Sequence, residues 1–189
     1  MTADPARAVA FLQAGVQRQD MYSMNLLGRN YLSGQGVEKD PKAALALFQK
    51  AIDLGQPYAP ASLGRMYRDG VGIERNLAEA QRLFELGTAR GDQSGAYDRA
   101  VLEMDKGTNA DQAVAVRYLA FAAALDFRKE LPDVPKTLAK FGVKAKTTAL
   151  RELRQQLKSK IPVSGSLETQ LVNVARAVWE EANPRRDVF

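Results

Sequence analysis

The chain has 189 residues, 46% hydrophobic and 26% charged, with a net charge of +5, which fits one globular domain or one short array with an appendage. Cysteine and histidine are both missing, so disulfides, zinc sites built on thiolate or imidazole, and Ser–His or Cys–His catalytic pairs are excluded. No apolar run approaches the ~20 residues of a membrane-spanning helix, and Met1-Thr2-Ala3-Asp4-Pro5 has neither the basic nor the apolar region of a signal peptide. The expected compartment is the cytoplasm or, where a leader has been removed, the periplasm.

In chain order, Asp4-Pro5 opens a predicted helix over 4–18, an N-cap residue followed by proline at the first helical position. Its apolar stripe is Ala8, Phe11 and Leu12. With no first helix of its own to cover both sides, some of that stripe is expected to stay exposed, or to pair with another chain as a homodimer or with residues removed upstream. Leu27-Gly28, Tyr31, Gly34, Gly36-Val37, Asp40, Ala44, Phe48, Ala51 and Gly55 follow. The same pattern then returns 36 positions later as Leu63-Gly64, Tyr67, Gly70, Gly72-Ile73, Asn76, Ala80, Phe84, Gly87 and Gly91. Self-similarity at this period signals a stacked array.

Within the second copy, Ala59, Leu63, Gly64 and Tyr67 share one face of a predicted helix over about 56–69. A mid-helix glycine costs about 1 kcal/mol relative to alanine, so its recurrence at 28 and 64 predicts close approach of a neighbouring helix. Gly70-Val71-Gly72 ends that helix, and Asn76, like Asp40-Pro41 before it, caps the next. These Gly-x-Gly loops lack the preceding strand of a phosphate-binding fingerprint; they are read as turns, and Tyr31 and Tyr67 as core. A worn third copy runs through Ala96, Ala100 and Met104 to Val114, Tyr118, Phe121 and Leu125.

The run Leu-Gly-x-x-Tyr-x-x-Gly-x-Gly-Val-x-x-Asp, then Ala-x-x-x-Phe-x-x-Ala-x-x-x-Gly, resembles the Sel-one-like repeat family, relatives of the tetratricopeptide repeats. Residues 27–55 and 63–91 carry the resemblance well, 4–19 and 95–125 weakly, and the last sixty not at all. It implies an all-α, right-handed α/α solenoid of antiparallel helix pairs over 1–126, serving as a bacterial adaptor in signalling, secretion or envelope pathways. Tetratricopeptide relatives bind peptides on the inner face of their first helices. The corresponding residues here are Tyr22, Asn25 and Arg29, then Tyr58, Arg65 and Arg68. Arginine suits forked recognition of carboxylates and tyrosine gives contact area at low entropic cost, so the expected partner is a protein, through an acidic peptide or a chain terminus. An ordinary polar surface is the bland alternative.

After the array, Leu131-Pro132 and Val134-Pro135 mark a boundary, and residues 127–189 are read as a basic helical extension capping the solenoid. Residues 1–126 hold 14 Lys/Arg against 15 Asp/Glu, whereas 127–189 hold 13 against 7. Lys136, Lys140, Lys144, Arg151, Arg154 and Lys158 form a basic patch beside the stripe Leu150, Leu153, Leu157 and Ile161. It is read as a solvated helix face, a site for an acidic protein, or a surface for nucleic acid or anionic membrane. Interleaved aromatics are lacking for the last two. No catalytic residues, metal ligands or cofactor are assigned, and the chain is read as a non-catalytic interaction module. An immunity-type inhibitor of one cognate enzyme is the alternative within binding proteins.

Overall fold

The computed structural model describes residues 4–105, 114–119 and 121–122, which are helices and short connections without a strand. The described residues fall into two compact units divided between Arg90 and Gly91. The first contains α1 (Pro5–Gln17), α2 (Met21–Ser33), α3 (Pro41–Asp53), α4 (Ala59–Asp69) and α5 (Leu77–Ala89). The second contains α6 (Gln93–Met104) and further helical residues at 114–119 and 121–122.

Each start is fixed by a side chain that satisfies an otherwise unpaired backbone donor. Asp4 Oδ1 accepts from Ala6 N at 3.0 Å, Asp40 Oδ1 from Ala43 N at 3.0 Å, and Asn76 Oδ1 from Glu79 N at 3.0 Å. Helix α4 begins at Ala59 rather than near 56, because Gln56 serves as the cap. Its Oε1, fully buried, accepts from Tyr58 N and Ala59 N at 2.6 Å each. The repeat also recurs in the loops: Asp40 N donates to Tyr31 O at 3.0 Å and Asn76 N to Tyr67 O at 2.9 Å.

Helix α2 packs on α3 and α4 on α5, and the glycines permit it. A Cβ on Gly28 would lie 2.7 Å from Phe48 Cε1, and one on Gly64 would lie 2.6 Å from Phe84 Cε1. Both phenylalanines are fully buried. Successive pairs meet through the loops. Gly36 lies against Pro5 and Gly72 against Pro41, both at positive φ (+74° and +70°) where no Cβ would fit. Met24, Phe48, Ile52, Leu63, Met66 and Leu83 form the core between them, with Tyr31 and Tyr67 half-buried against it. Arg90 Nη1 donates to the carbonyls of Ile52 and Gln56 at 3.2 and 3.3 Å, tying the end of α5 to that of α3.

Helix α1 packs on α2 through buried Val9 and through Val16. Its outer face stays open as expected: Phe11 is 73% exposed and Ala8 exposed, while Leu12 is half-buried.

The second unit is built differently. Ala96, Ala100, Leu102, Leu119 and Phe121 are buried, but so are Asp98, Arg99 and Glu103. Arg99 Nη1 forms an ion pair with Glu103 Oε1, and the guanidinium lies 5.0 Å from the centroid of the Tyr118 ring. Leu125, the proposed cap at 127–189 and its basic patch lie outside the described residues.

Candidate functional site

On α2, Tyr22, Leu26 and Arg29 recur at the i, i+4, i+7 spacing that places side chains on one helix face, and all three are exposed. At the start of α4, Tyr58 occupies the position equivalent to Tyr22, and Arg65 that of Arg29. The two tyrosines are 48% and 42% exposed, large for aromatic rings in a packed array. Their backbone N–H groups are spent on capping, donated to Asp20 Oδ1 at 3.3 Å and Gln56 Oε1 at 2.6 Å. The rings are the part left to meet solvent or a partner.

Asn25 does not belong to this surface. It is 4% exposed, and its Oδ1 accepts from Ser62 Oγ at 3.2 Å, a bond that ties α2 to α4. The sequence places it beside Tyr22 on the flank of the packing stripe; the side-by-side contact of α2 and α4 takes that flank instead. Leu26 is the residue that sequence reasoning missed. At 45% exposure it puts an apolar side chain between Tyr22 and Arg29. Its only sequence signal is a leucine four residues after one of those positions and three before the other.

The far end of α4 gathers arginines around a carboxylate of its own. Arg68 grips Asp69 with two parallel bonds, Nε to Oδ1 at 2.7 Å and Nη2 to Oδ2 at 2.9 Å. The Arg68 hydrogen bond, with the nearby charges of Arg68, Arg65 and Arg75, holds the Asp69 carboxyl below the usual carboxylate range. Arg75 Nε in turn donates to the Arg68 carbonyl at 2.9 Å. Three guanidinium groups thus gather around one carboxylate. In the first copy Ser33 stands where Asp69 stands in the second, and Arg29 where Arg65 stands. Arg65 and Arg68 are half-buried, whereas Arg29 is exposed. Among the described residues no group of three or more Asp and Glu residues could hold a metal ion.

Comparison with protein families matches the Sel1 repeat at residues 22–56, 57–92 and 95–127, just over half of the chain. The chain belongs to the Sel1 repeat family. The first two matched repeats open at Tyr22 and one residue before Tyr58, so the candidate face lies on the first helix of each. The third takes in α6 and the helical residues after it. Among solved structures, this Sel1 repeat chain is similar to a Sel1 repeat protein from Oxalobacter formigenes: 25% identity, 71% of this chain, 98% of that one, TM-score 0.56. It is also similar to c5321, a protective antigen of uropathogenic Escherichia coli with an SLR fold, at 17% identity and TM-score 0.62. That match covers 95% of this chain and 35% of the antigen, of which the present chain spans about a third. The immunity protein Pa5087 from Pseudomonas aeruginosa aligns over 100% of this chain and 82% of its own at 17% identity, but a TM-score of 0.38 carries no argument. No curated protein matches in sequence.

Sel1 repeats build protein-interaction modules, and the helix-pair scaffold described above is of that kind.

Proposed function

We propose that this chain is a non-catalytic adaptor that binds a protein partner across the exposed faces of α2 and α4, engaging an acidic segment or a chain-terminal carboxylate. The observation that carries this reading is the repeated Tyr–Arg pair, Tyr22 with Arg29 and Tyr58 with Arg65, set seven residues apart on equivalent helices. Aromatic and arginine side chains are the residues that most often dominate interface energies. Leu26 adds an apolar contact beside Arg29, which favours a ligand carrying an apolar side chain next to its acid. The third copy has Ser94 and Val101 at the equivalent positions, so recognition is assigned to the first two. The basic patch of residues 136–158 supplies long-range attraction to the same acidic partner.

The test is capture of the partner from native lysate, followed by calorimetry with Arg29→Glu, Arg65→Glu. That double variant should stay folded, with only a small drop in melting temperature from placing a carboxylate at position 65 beside Asp69, and lose the partner, since removing one member of a charge pair at an interface costs about 2–5 kcal/mol. Reversing Lys140, Lys144 and Lys158 should change salt dependence and association rate, with affinity largely kept. Undiminished binding by the groove variant with loss in the lysine variant would move the site to the basic segment.

A further inference from the structure

The open face of α1 is the same face that is sealed elsewhere in the array. Ala44 and Ala80 are fully buried, as are Phe48 and Phe84, each covered by the first helix of its own pair. The equivalent residues of α1, Ala8 and Leu12, are exposed and half-buried, and Phe11 beside them is 73% exposed. A helix with this much uncovered apolar surface is a site of association.

The layout of α1 states what covers it. Phe11 is the midpoint of the helix Pro5–Gln17. Ala8 and Ala14 lie three residues to either side of it, and Asp4 and Arg18 seven to either side, all exposed. At 100° per residue, positions seven apart are nearly in line and positions three apart flank that line. Apart from Arg7, which stands opposite Gly15 four residues either side, the pattern is symmetric about Phe11 in size and antisymmetric in charge. A two-fold axis through Phe11 running two copies antiparallel sets each phenylalanine between the partner's small alanines. It also brings each Asp4 to the partner's Arg18. A parallel pair would oppose Asp4 to Asp4 and Arg18 to Arg18. Asp4 caps its own helix through Oδ1, so the charge serves both ends of the contact.

We infer that two copies of this chain associate through an isologous, antiparallel α1–α1 contact centred on Phe11. Such an interface is self-complementary, as closed two-fold symmetry requires. A helix of this length extends about 20 Å, which places the contact at the small end of specific interfaces. The inference is independent of the groove on α2 and α4.

The experiment is sedimentation equilibrium of the full chain up to several hundred micromolar, with cysteine cross-linking on the naturally cysteine-free background. The parent should pass from monomer to dimer, and Phe11→Arg, at an exposed site, should remain monomeric with an unchanged melting temperature. Ala8→Cys mixed with Ala14→Cys should form the mixed disulfide dimer several-fold faster than either forms its own. A parent that stays monomeric throughout, or a dimer that survives Phe11→Arg, overturns the proposal. Faster Ala8–Ala8 cross-linking overturns the antiparallel arrangement.

Discussion

The first two Sel1 repeats and the third solve one packing problem in opposite ways. At the seam of each pair the first two place Leu-Gly (27–28 and 63–64) and, three residues after the glycine, Tyr31 or Tyr67. A phenylalanine ring from the second helix then closes over the missing Cβ. At the same repeat positions the third has Arg99, Ala100 and Glu103. Arg99 and Glu103 are buried as an ion pair, with the guanidinium against the Tyr118 ring. An apolar seam gains from every square ångström removed from water. A buried ion pair must first repay the desolvation of both charges and typically breaks even at best. The third repeat can keep the family's helix pairing while losing its apolar signature, because the aliphatic stem and planar head of arginine fill the space of the leucine and stack on an aromatic.

The sharpest way to break this comparison is Glu103→Ala. Removing the carboxylate beside the buried Arg99 should destabilise the second unit by about 3–5 kcal/mol, read as faster amide exchange in α6 than in α2–α5. The double change Arg99→Leu, Glu103→Tyr restores the residues of the first two repeats and should be neutral or stabilising by as much as about 4 kcal/mol. If Glu103→Ala exchanges like the parent, the ion pair contributes nothing to α6 and the contrast between the seams fails.

The glycine seam gives the next largest effect. Gly64→Leu drives a side chain into the Phe84 ring and towards the Ala80 carbonyl, 3.3 Å from the added Cβ, and should cost about 1–3 kcal/mol. Gly64→Ala should cost less, since the gain of about 1 kcal/mol in helix propensity offsets part of the clash with the ring. Ala100 already carries a Cβ at the equivalent position of the third repeat and is fully buried. An unchanged melting temperature for Gly64→Leu would show that the seam can open without penalty.

The contrast also explains what the sequence could reveal. Helix pairs, caps and the close approach of a helix at Gly28 and Gly64 were legible because backbone requirements repeat with the chain: a cap, a left-handed turn and a missing Cβ each demand a narrow set of residues. The third repeat was faint because an ion pair with an aromatic lid satisfies the same geometry with residues that no apolar pattern announces. On the candidate face, which the resemblance to tetratricopeptide repeats suggested, Tyr22, Arg29 and Tyr58 are exposed and Arg65 and Arg68 half-buried. Asn25 was misplaced because its burial depends on Ser62, 37 residues away, and helix periodicity cannot see a neighbour across the array. Leu26 was missed for the converse reason: a leucine one position from the packing stripe reads as core until the packing shows it uncovered.

The smallest expected effect is on the acid stability of the first unit, whose Arg68–Asp69 and Arg82–Glu79 pairs lie near its surface. Asp69 is held below the usual carboxylate range by the Arg68 hydrogen bond, and Glu79 by that of Arg82, whose Nη2 lies 2.6 Å from Glu79 Oε1. A carboxyl whose folded pKa lies below its unfolded value contributes stability that is complete above the unfolded value and is lost as pH falls through the folded one. The loss therefore begins as pH falls into the usual carboxylate range and is complete only in stronger acid, below the folded values. Both pairs are substantially exposed, so each is worth about 0.2–1 kcal/mol after solvent screening. Denaturant midpoints should accordingly fall only slightly between neutral pH and the onset of carboxyl protonation, then drop below it. Asp69→Asn, Glu79→Gln should start a little below the parent at neutral pH and converge with it in acid. Curves that stay parallel throughout would mean that neither pair is coupled to folding, leaving the apolar seams as the main support of the first two repeats.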